Sequence, residues 1–266
     1  MSAVISEIPI VDGSVSSLRP PALWTKPAYT GTIEALEVKE RELAERLSGI
    51  AARFFRARFA TSLAAEDMVL TDAILRGSPA VRAGIRVFTL NTGRLHAETL
   101  AVLDKVETHY GYTIEQFTPD QEAVENYLKK NGLNAFYDSV DLRKSCCGIR
   151  KVEPLNRALS HADAWMTGQR REQAVTRAEL PFEETDESRG IPKFNPLADW
   201  TEAEVWAYLS RHNVPVNALH EKGYPSIGCE PCTRAVKAGE DVRAGRWWWE
   251  SKDSKECGLH EQNVKH

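Results

Sequence analysis

The stretch Arg143-Lys144-Ser145-Cys146-Cys147-Gly148-Ile149-Arg150-Lys151 sets two adjacent thiols among basic side chains and no acid. Downstream, Cys229-Glu230-Pro231-Cys232 supplies a second pair, and the fifth cysteine is Cys257, close to the C-terminus. Adjacent side chains diverge, so Cys146 and Cys147 do not easily share one tetrahedral ion. Structural zinc sites space their ligands as C-x(2–4)-C, which lets the chain curl around a single metal. A cubane [4Fe–4S] cluster presents several irons, takes four thiolates and is anionic, which suits the surrounding Arg and Lys. On spacing alone three readings stand: the cluster, a zinc site, or a buried thiol pair beside a redox CxxC.

The elements that position these thiols must come from a chain of 266 residues, 42% of them hydrophobic, enough for one large core or two small ones. A net charge of -4 gives no general attraction to nucleic acid or lipid. No apolar run approaches the ~20 residues that span a bilayer, and no basic segment followed by an apolar block reads as a signal peptide. Five cysteines, an odd number, argue against a secreted disulfide framework and for a reducing, cytoplasmic location.

Residues 1–30, with prolines and small polar side chains, read as a flexible arm. Apolar spacing predicts a helix over 33–48, a second over 50–55 and another over about 66–75. Ile85 to Leu90 reads as a buried strand and Leu95 to Tyr110 as a helix. Tyr112 to Phe117 reads as a strand and Gln121 to Lys130 as a helix. A further helix is expected from the vicinal cysteines to about Ser160, then a strand over 164–167. Residues 181–191 read as an acidic surface loop, and Thr201 with Glu204 as a capping box opening a helix. Alternating strands and helices predict an α/β fold, a mainly parallel sheet with helices on both faces. Ligands on such sheets bind beyond the carboxyl ends of the strands, where the turns at 62–67 and 91–94 fall. The loop Gly168-Gln169-Arg170-Arg171 follows a strand, and its guanidinium groups suit a phosphate or sulfate.

Taken together, these motifs closely resemble the assimilatory adenosine 5′-phosphosulfate (APS) reductases. The resemblance covers about residues 45–260. It rests on Ser62-Leu63-Ala64-Ala65-Glu66-Asp67, on Leu90-Asn91-Thr92-Gly93-Arg94-Leu95, on Cys146-Cys147 with Arg150-Lys151, and on Thr167-Gly168-Gln169-Arg170. It continues through Cys229-Glu230-Pro231-Cys232-Thr233-Arg234 and Arg243-Ala244-Gly245-Arg246-Trp247-Trp248-Trp249, and closes with Glu256-Cys257-Gly258-Leu259-His260. The vicinal cysteines, the CxxC and the ECGLH tail together are highly specific.

The resemblance implies a fold like the adenine nucleotide α-hydrolases, related to the PP-loop ATP pyrophosphatases. It implies a nucleotide-binding and reductase domain over 31–225, followed over 226–266 by the second cysteine pair and a mobile tail. It implies one [4Fe–4S] cluster on Cys146, Cys147, Cys229 and Cys232, Cys257 as nucleophile, thioredoxin or a glutaredoxin-like protein as donor, and a homo-oligomer, with neither nucleic acid nor membrane as partner. By the same resemblance Lys151, Arg243 and Arg246 meet the phosphosulfate. Ser62, Leu63, Ala64, Ala65, Glu66 and Asp67 line that same end. Leu90, Asn91, Thr92, Gly93 and Arg94 line the nucleoside, while Gly168, Gln169, Arg170 and Arg171 complete the anion site, with Lys144 near the cluster. Many relatives carry Asp where this chain has Asn91, which leaves a hydrogen-bonding role there but no carboxylate.

Two rival readings have their own marks. Reductases of 3′-phosphoadenosine phosphosulfate generally keep the tail cysteine but lack the four ligands. ATP pyrophosphatases show Ser-Gly-Gly-x-Asp-Ser, where this chain has Ala64, Ala65 and Met68.

Overall fold

The computed structural model describes residues 21–251. Residues 1–20 of the expected arm, and the expected tail past Ser251 with Cys257, lie outside the described residues. Helix α1 (Ile33–Arg53) begins where the Thr32 hydroxyl accepts from the Ala35 N–H at 3.2 Å, and it buries Leu36, Leu43, Leu47 and Ile50. The sequence predicts two helices here, and the structure has one. Gly49 sits on the exposed face, with nothing within 4 Å of a would-be Cβ. Its helix penalty of about 1 kcal/mol is outweighed by burial of Ile50, worth roughly 1.5–3 kcal/mol.

The remaining elements alternate as the sequence predicts: β1 (Ala57–Thr61), α2 (Ala65–Leu75), α3 (Pro79–Gly84), β2 (Ile85–Leu90), α4 (Ala97–Tyr110), β3 (Glu115–Phe117) and α5 (Gln121–Asn131). Next, α6 (Val140–Cys147) runs through a π-helical turn over Gly148–Val152 into α7 (Glu153–Leu159), so the helix expected after the vicinal cysteines is present and a further helix leads into them. Then come β4 (Ala164–Met166), β5 (Glu183–Asp186), β6 (Ile191–Phe194) and α8 (Glu202–Arg211). The sheet has six strands in the order β3-β2-β1-β4-β6-β5, parallel except for β5, which pairs antiparallel with β6.

The expected surface loop over 181–191 is therefore largely a hairpin. Its acidic residues concealed it, because they are consumed in pairing: Glu184 holds the buried Lys193 at 2.8 Å and Glu183 holds Arg53 at 2.6 Å. The expectation of a loose arm over 1–30 does not describe residues 21–30. The Trp24 N–H donates to the Val236 carbonyl at 2.8 Å, and the Trp24 ring packs 6.1 Å from that of Trp206.

Strand alternation sorts the core into two layers. Ala57, Phe59, Ile85, Val87, Ala164 and Met166 face a helical layer drawn from α1, α2, α3, α4 and α8. Phe88 and Trp165 face the other way, onto Leu155, Ala158 and Leu159 of α7. Since β1 leads to β2 on one side and pairs with β4 on the other, the strand order reverses beside β1, and a crevice opens at the carboxyl ends there.

Helix α8 frames this crevice through the expected capping box. The Thr201 hydroxyl accepts from the Glu204 N–H at 3.2 Å, and the Glu204 carboxylate accepts from the Thr201 N–H at 2.7 Å. Thr201→Ala is expected to lower the unfolding free energy by about 1 kcal/mol, read from urea denaturation monitored by circular dichroism.

Candidate active site

The crevice is lined by the ends of three parallel strands and the segments after them. Ala60, Thr61 and Ser62 come from β1, Thr89, Leu90 and Thr92 from β2, and Trp165, Thr167, Gly168, Gln169 and Arg170 from β4. Leu155 and Trp165 supply apolar surface, and the loop Pro225–Cys229 with Arg243, Arg246 and Trp247 closes one side. Helix α2 points its N-terminus at the crevice with no side-chain cap, leaving backbone N–H groups to a ligand. The turn that starts it holds Leu63 at φ 62°, a left-handed conformation unusual for a branched residue, with the side chain fully buried.

Charge divides the cleft. At one side Asp67 accepts from the N–H and hydroxyl of Ser62 at 2.6 and 2.5 Å, and from the Gly168 N–H. Burial pushes the Asp67 carboxyl up to about 6 despite these bonds. Asp67 thereby ties the end of β1 to the loop after β4. Gly168 has to be glycine, since a Cβ would meet the Asp67 Oδ1 at 2.2 Å. Beside it, Glu66 accepts from Arg170 at 2.8 and 3.1 Å and from Gln173 at 2.9 Å. Burial opposes its charge, but Arg170 and these bonds hold Glu66 below the ordinary carboxylate range. Arg170 also bonds Glu172 at 2.9 Å and the Trp200 carbonyl at 3.2 Å. Glu202, in the first turn of α8, faces the same group, and burial raises it to about 7.

At the other side stand Lys151, Arg243 and Arg246. Arg246 donates to the Ile227 carbonyl at 3.2 Å and lies 4.7 Å over the Trp247 ring. Gly228 leaves room for it, since a Cβ there would come within 2.4 Å of the guanidinium and displace it. Lys151 sits in the π-helical turn, which redirects the helix just past the vicinal cysteines.

Lys151, Cys229 and Trp247 also line a second, smaller cavity, and there all four cysteines of the two pairs meet. Cys229 and Cys232 pack with Phe136 and Trp247, and Cys146 lies against them. All four are free thiols, and burial pushes Cys146 up and Cys232 up to about 12. The two pairs are held by backbone as well as packing. Leu95 forms an antiparallel bridge with Cys229, and the Glu230 N–H donates to the Arg94 carbonyl at 2.8 Å. The Thr92 hydroxyl lies 3.2 Å from the Cys229 sulfur, and Arg150 donates to the Thr92 carbonyl at 2.7 Å. On the far side, fully buried Arg143 grips Glu250 through paired bonds of 2.9 and 2.8 Å and lies 4.7 Å over the Trp247 ring.

Of the residues named from sequence, Ser62, Ala64, Glu66, Asp67, Leu90, Thr92, Lys151, Gly168, Gln169, Arg170, Arg243 and Arg246 line the cleft, while Cys257 lies outside the described residues. Leu63 and Ala65 are buried beneath the turn. Asn91 braces its own loop, donating to the Gln116 side chain at 3.0 Å and accepting from the Gly93 N–H at 3.2 Å. Arg94 faces away, toward the Leu133 carbonyl, Asn134 and the Phe136 ring. Arg171 also turns from the cleft, bonding the Leu180 carbonyl at 2.8 Å and covering the Phe182 ring. Sequence reading missed Glu202, Gln173 and the Pro225–Gly228 loop. Glu202 looked like an ordinary first-turn acid, and only the small residues just before the CxxC hinted at the loop.

A parallel α/β sheet of the adenine nucleotide α-hydrolase type, with a cysteine quartet beside its cleft, defines the class. Residues 56–235 match the phosphoadenosine phosphosulfate reductase domain, and the chain belongs to that family. It is 65% identical over 232 residues to the adenosine 5′-phosphosulfate reductase of Burkholderia cepacia, covering 87% of this chain and 91% of that one. The phosphate-bound phosphoadenylyl-sulfate reductase of Candida auris superposes with a TM-score of 0.62 at 28% identity, over 78% of this chain and 100% of that one. Yeast FAD synthetase shares the fold alone, with a TM-score of 0.56 at 14% identity over 79% and 70%.

Arg143→Leu removes the cation paired with buried Glu250. It is expected to lower stability by about 3–5 kcal/mol, measured by denaturant unfolding. The double variant with Glu250→Gln should recover part of that loss.

Proposed function

We propose that this protein reduces APS to sulfite and AMP with electrons from a dithiol protein of the thioredoxin or glutaredoxin type. One observation carries the reading: the cationic side of a nucleotide-type cleft shares Lys151, Cys229 and Trp247 with the four-cysteine cavity. The family and the 65% identical relative named an APS reductase support the choice of substrate.

The cavity suits a [4Fe–4S] cluster on Cys146, Cys147, Cys229 and Cys232. All four line one cavity, and a cubane spreads its thiolates over separate irons, so the adjacent Cys146 and Cys147 could both serve. The buried indole N–H groups of Trp247 and Trp249 have no hydrogen-bond partner among the described residues, and cluster sulfides would accept from them. When bound, the cluster supplies an anionic centre that fixes the surrounding cations in place.

The chain's own residues do the rest. Lys151, Arg243 and Arg246 hold the phosphosulfate, with guanidinium groups matching its oxygens in pairs. The uncharged nucleoside fits the side with Leu155 and Trp165, where carboxylates can accept from ribose hydroxyls. On this proposal Glu66 and Asp67 turn toward the nucleoside, while the backbone N–H groups at the start of α2 remain open to an anion, as the resemblance expects of the Ser62–Asp67 turn. The Cys257 thiolate attacks sulfur, the S–O bond breaks, and AMP leaves with the electron pair, giving S-sulfocysteine. A donor thiolate then attacks the Cys257 sulfur and expels sulfite, and the donor's second thiol resolves the mixed disulfide. Sulfur gains two electrons and the donor becomes a disulfide. Cys257 is the chain's one cysteine outside the quartet, so the second thiol comes from the donor. Free, buried cysteines suit a reducing, cytoplasmic setting, and we infer a homo-oligomer by analogy with the family.

Protein given APS without donor should gain about 80 Da, one SO₃ on one nucleophile, seen by intact-protein mass spectrometry. Cys257→Ser should gain nothing while still binding AMP. An unmodified wild type, or an adduct persisting in Cys257→Ser, would overturn the mechanism.

A further inference from the structure

The unequal charge of the cleft bears on which nucleotide it admits. The chemistry proposed above needs cations only where the phosphosulfate sits, at Lys151, Arg243 and Arg246. On the opposite side three carboxylates line the cleft, Glu66, Asp67 and Glu202, against two guanidinium groups, Arg170 and Arg177. Both guanidinium groups have partners inside the protein. Arg170 is spanned by Glu66 at 2.8 Å, Glu172 at 2.9 Å and the Trp200 carbonyl at 3.2 Å, and Arg177 donates to the Gln173 side chain at 2.6 Å.

Sites that read a bare ribose place a carboxylate at its hydroxyls, and sites that accept a ribose phosphate place an arginine there. Glu66 and Asp67 are committed. Glu66 bonds Arg170 and Gln173, and Asp67 bonds Ser62 and Gly168. Glu202 is less fully engaged. It stands at the start of α8, its backbone N–H accepted by Glu172 at 2.5 Å, and its side chain accepts from Trp206 while facing Arg170, Glu66 and Glu172 electrostatically. The cap does not require an acid at that place, since Thr201 and Glu204 already close the capping box, and only the helix dipole favours one there.

We propose that Glu202 is a specificity-determining residue that excludes nucleotides carrying a phosphate on the ribose, by presenting a carboxylate at the ribose side of the cleft. The inference rests on the APS reading of the site. A 3′-phosphate would bring two negative charges toward Glu202, Glu66 and Asp67, and Arg170, engaged by three acceptors, would have to break existing bonds to receive it. Selection then operates by repulsion of the wrong substrate as much as by attraction of the right one.

The test is binding of AMP and of adenosine 3′,5′-bisphosphate to the intact protein and to Glu202→Gln, by calorimetry. The pH is 8, above the value of about 7 to which burial raises Glu202. The ratio of the bisphosphate Kd to the AMP Kd should fall about tenfold in Glu202→Gln, the scale of one charge removed at several ångströms, whatever happens to AMP affinity itself. Glu204→Gln, on the same helix turn but committed to the cap, should leave the ratio unchanged. As a readout of turnover, the kcat/KM ratio of 3′-phosphoadenosine phosphosulfate to APS should rise in step. A ratio unchanged in Glu202→Gln, with both nucleotides binding, overturns the inference and leaves the APS reading standing. If wild type binds neither nucleotide, the APS reading fails and this inference fails with it.

Discussion

Everything around the cleft depends on bringing two cysteine pairs, distant in sequence, to one cavity. The convergence is built from contacts around the cysteines: a backbone bridge between Leu95 and Cys229, the Arg150 bond to the Thr92 carbonyl, and the Arg143–Glu250 clasp. A buried ion pair of this kind contributes little net stability, but it penalises any arrangement that separates its partners. Here separation would pull Trp247 away from the helix that carries Cys146 and Cys147.

The same struts shape the substrate side. Thr92 receives Arg150, touches Cys229 and also lines the cleft. Trp247 is covered by Arg143 and Arg246, one guanidinium belonging to the clasp and the other to the anion side. The cysteine cavity and the cationic part of the cleft are thus built on shared side chains, so a disturbance of one reaches the other. A cluster of the kind proposed for that cavity would act on the cleft through these contacts without having to carry electrons.

The sheet and its helices were legible because strands β2 and β4 are short, largely apolar runs followed by turn residues, and helices such as α8 carry explicit caps. The cysteine quartet was legible from spacing and local charge. What escaped the sequence were features set by long-range partners. The hairpin of β5 and β6 hides behind acids that pair with Lys193 and Arg53. The orientations of Arg94 and Arg171 were not readable, because a long side chain in a loop can point either way until Phe136 and Phe182 give it something to cover. The partners of Glu66 and Asp67 were likewise unreadable, since Arg170 and Gln173 for the one and Gly168 for the other come from a distant loop.

The central claim is that one anionic cluster organises both cavities. It is tested most directly by measuring iron, acid-labile sulfide and zinc per chain in protein purified without air, alongside its visible absorption. The account predicts four iron and four sulfide atoms per chain with a sulfur-to-iron charge-transfer band. A colourless, fully active protein holding stoichiometric zinc would contradict it.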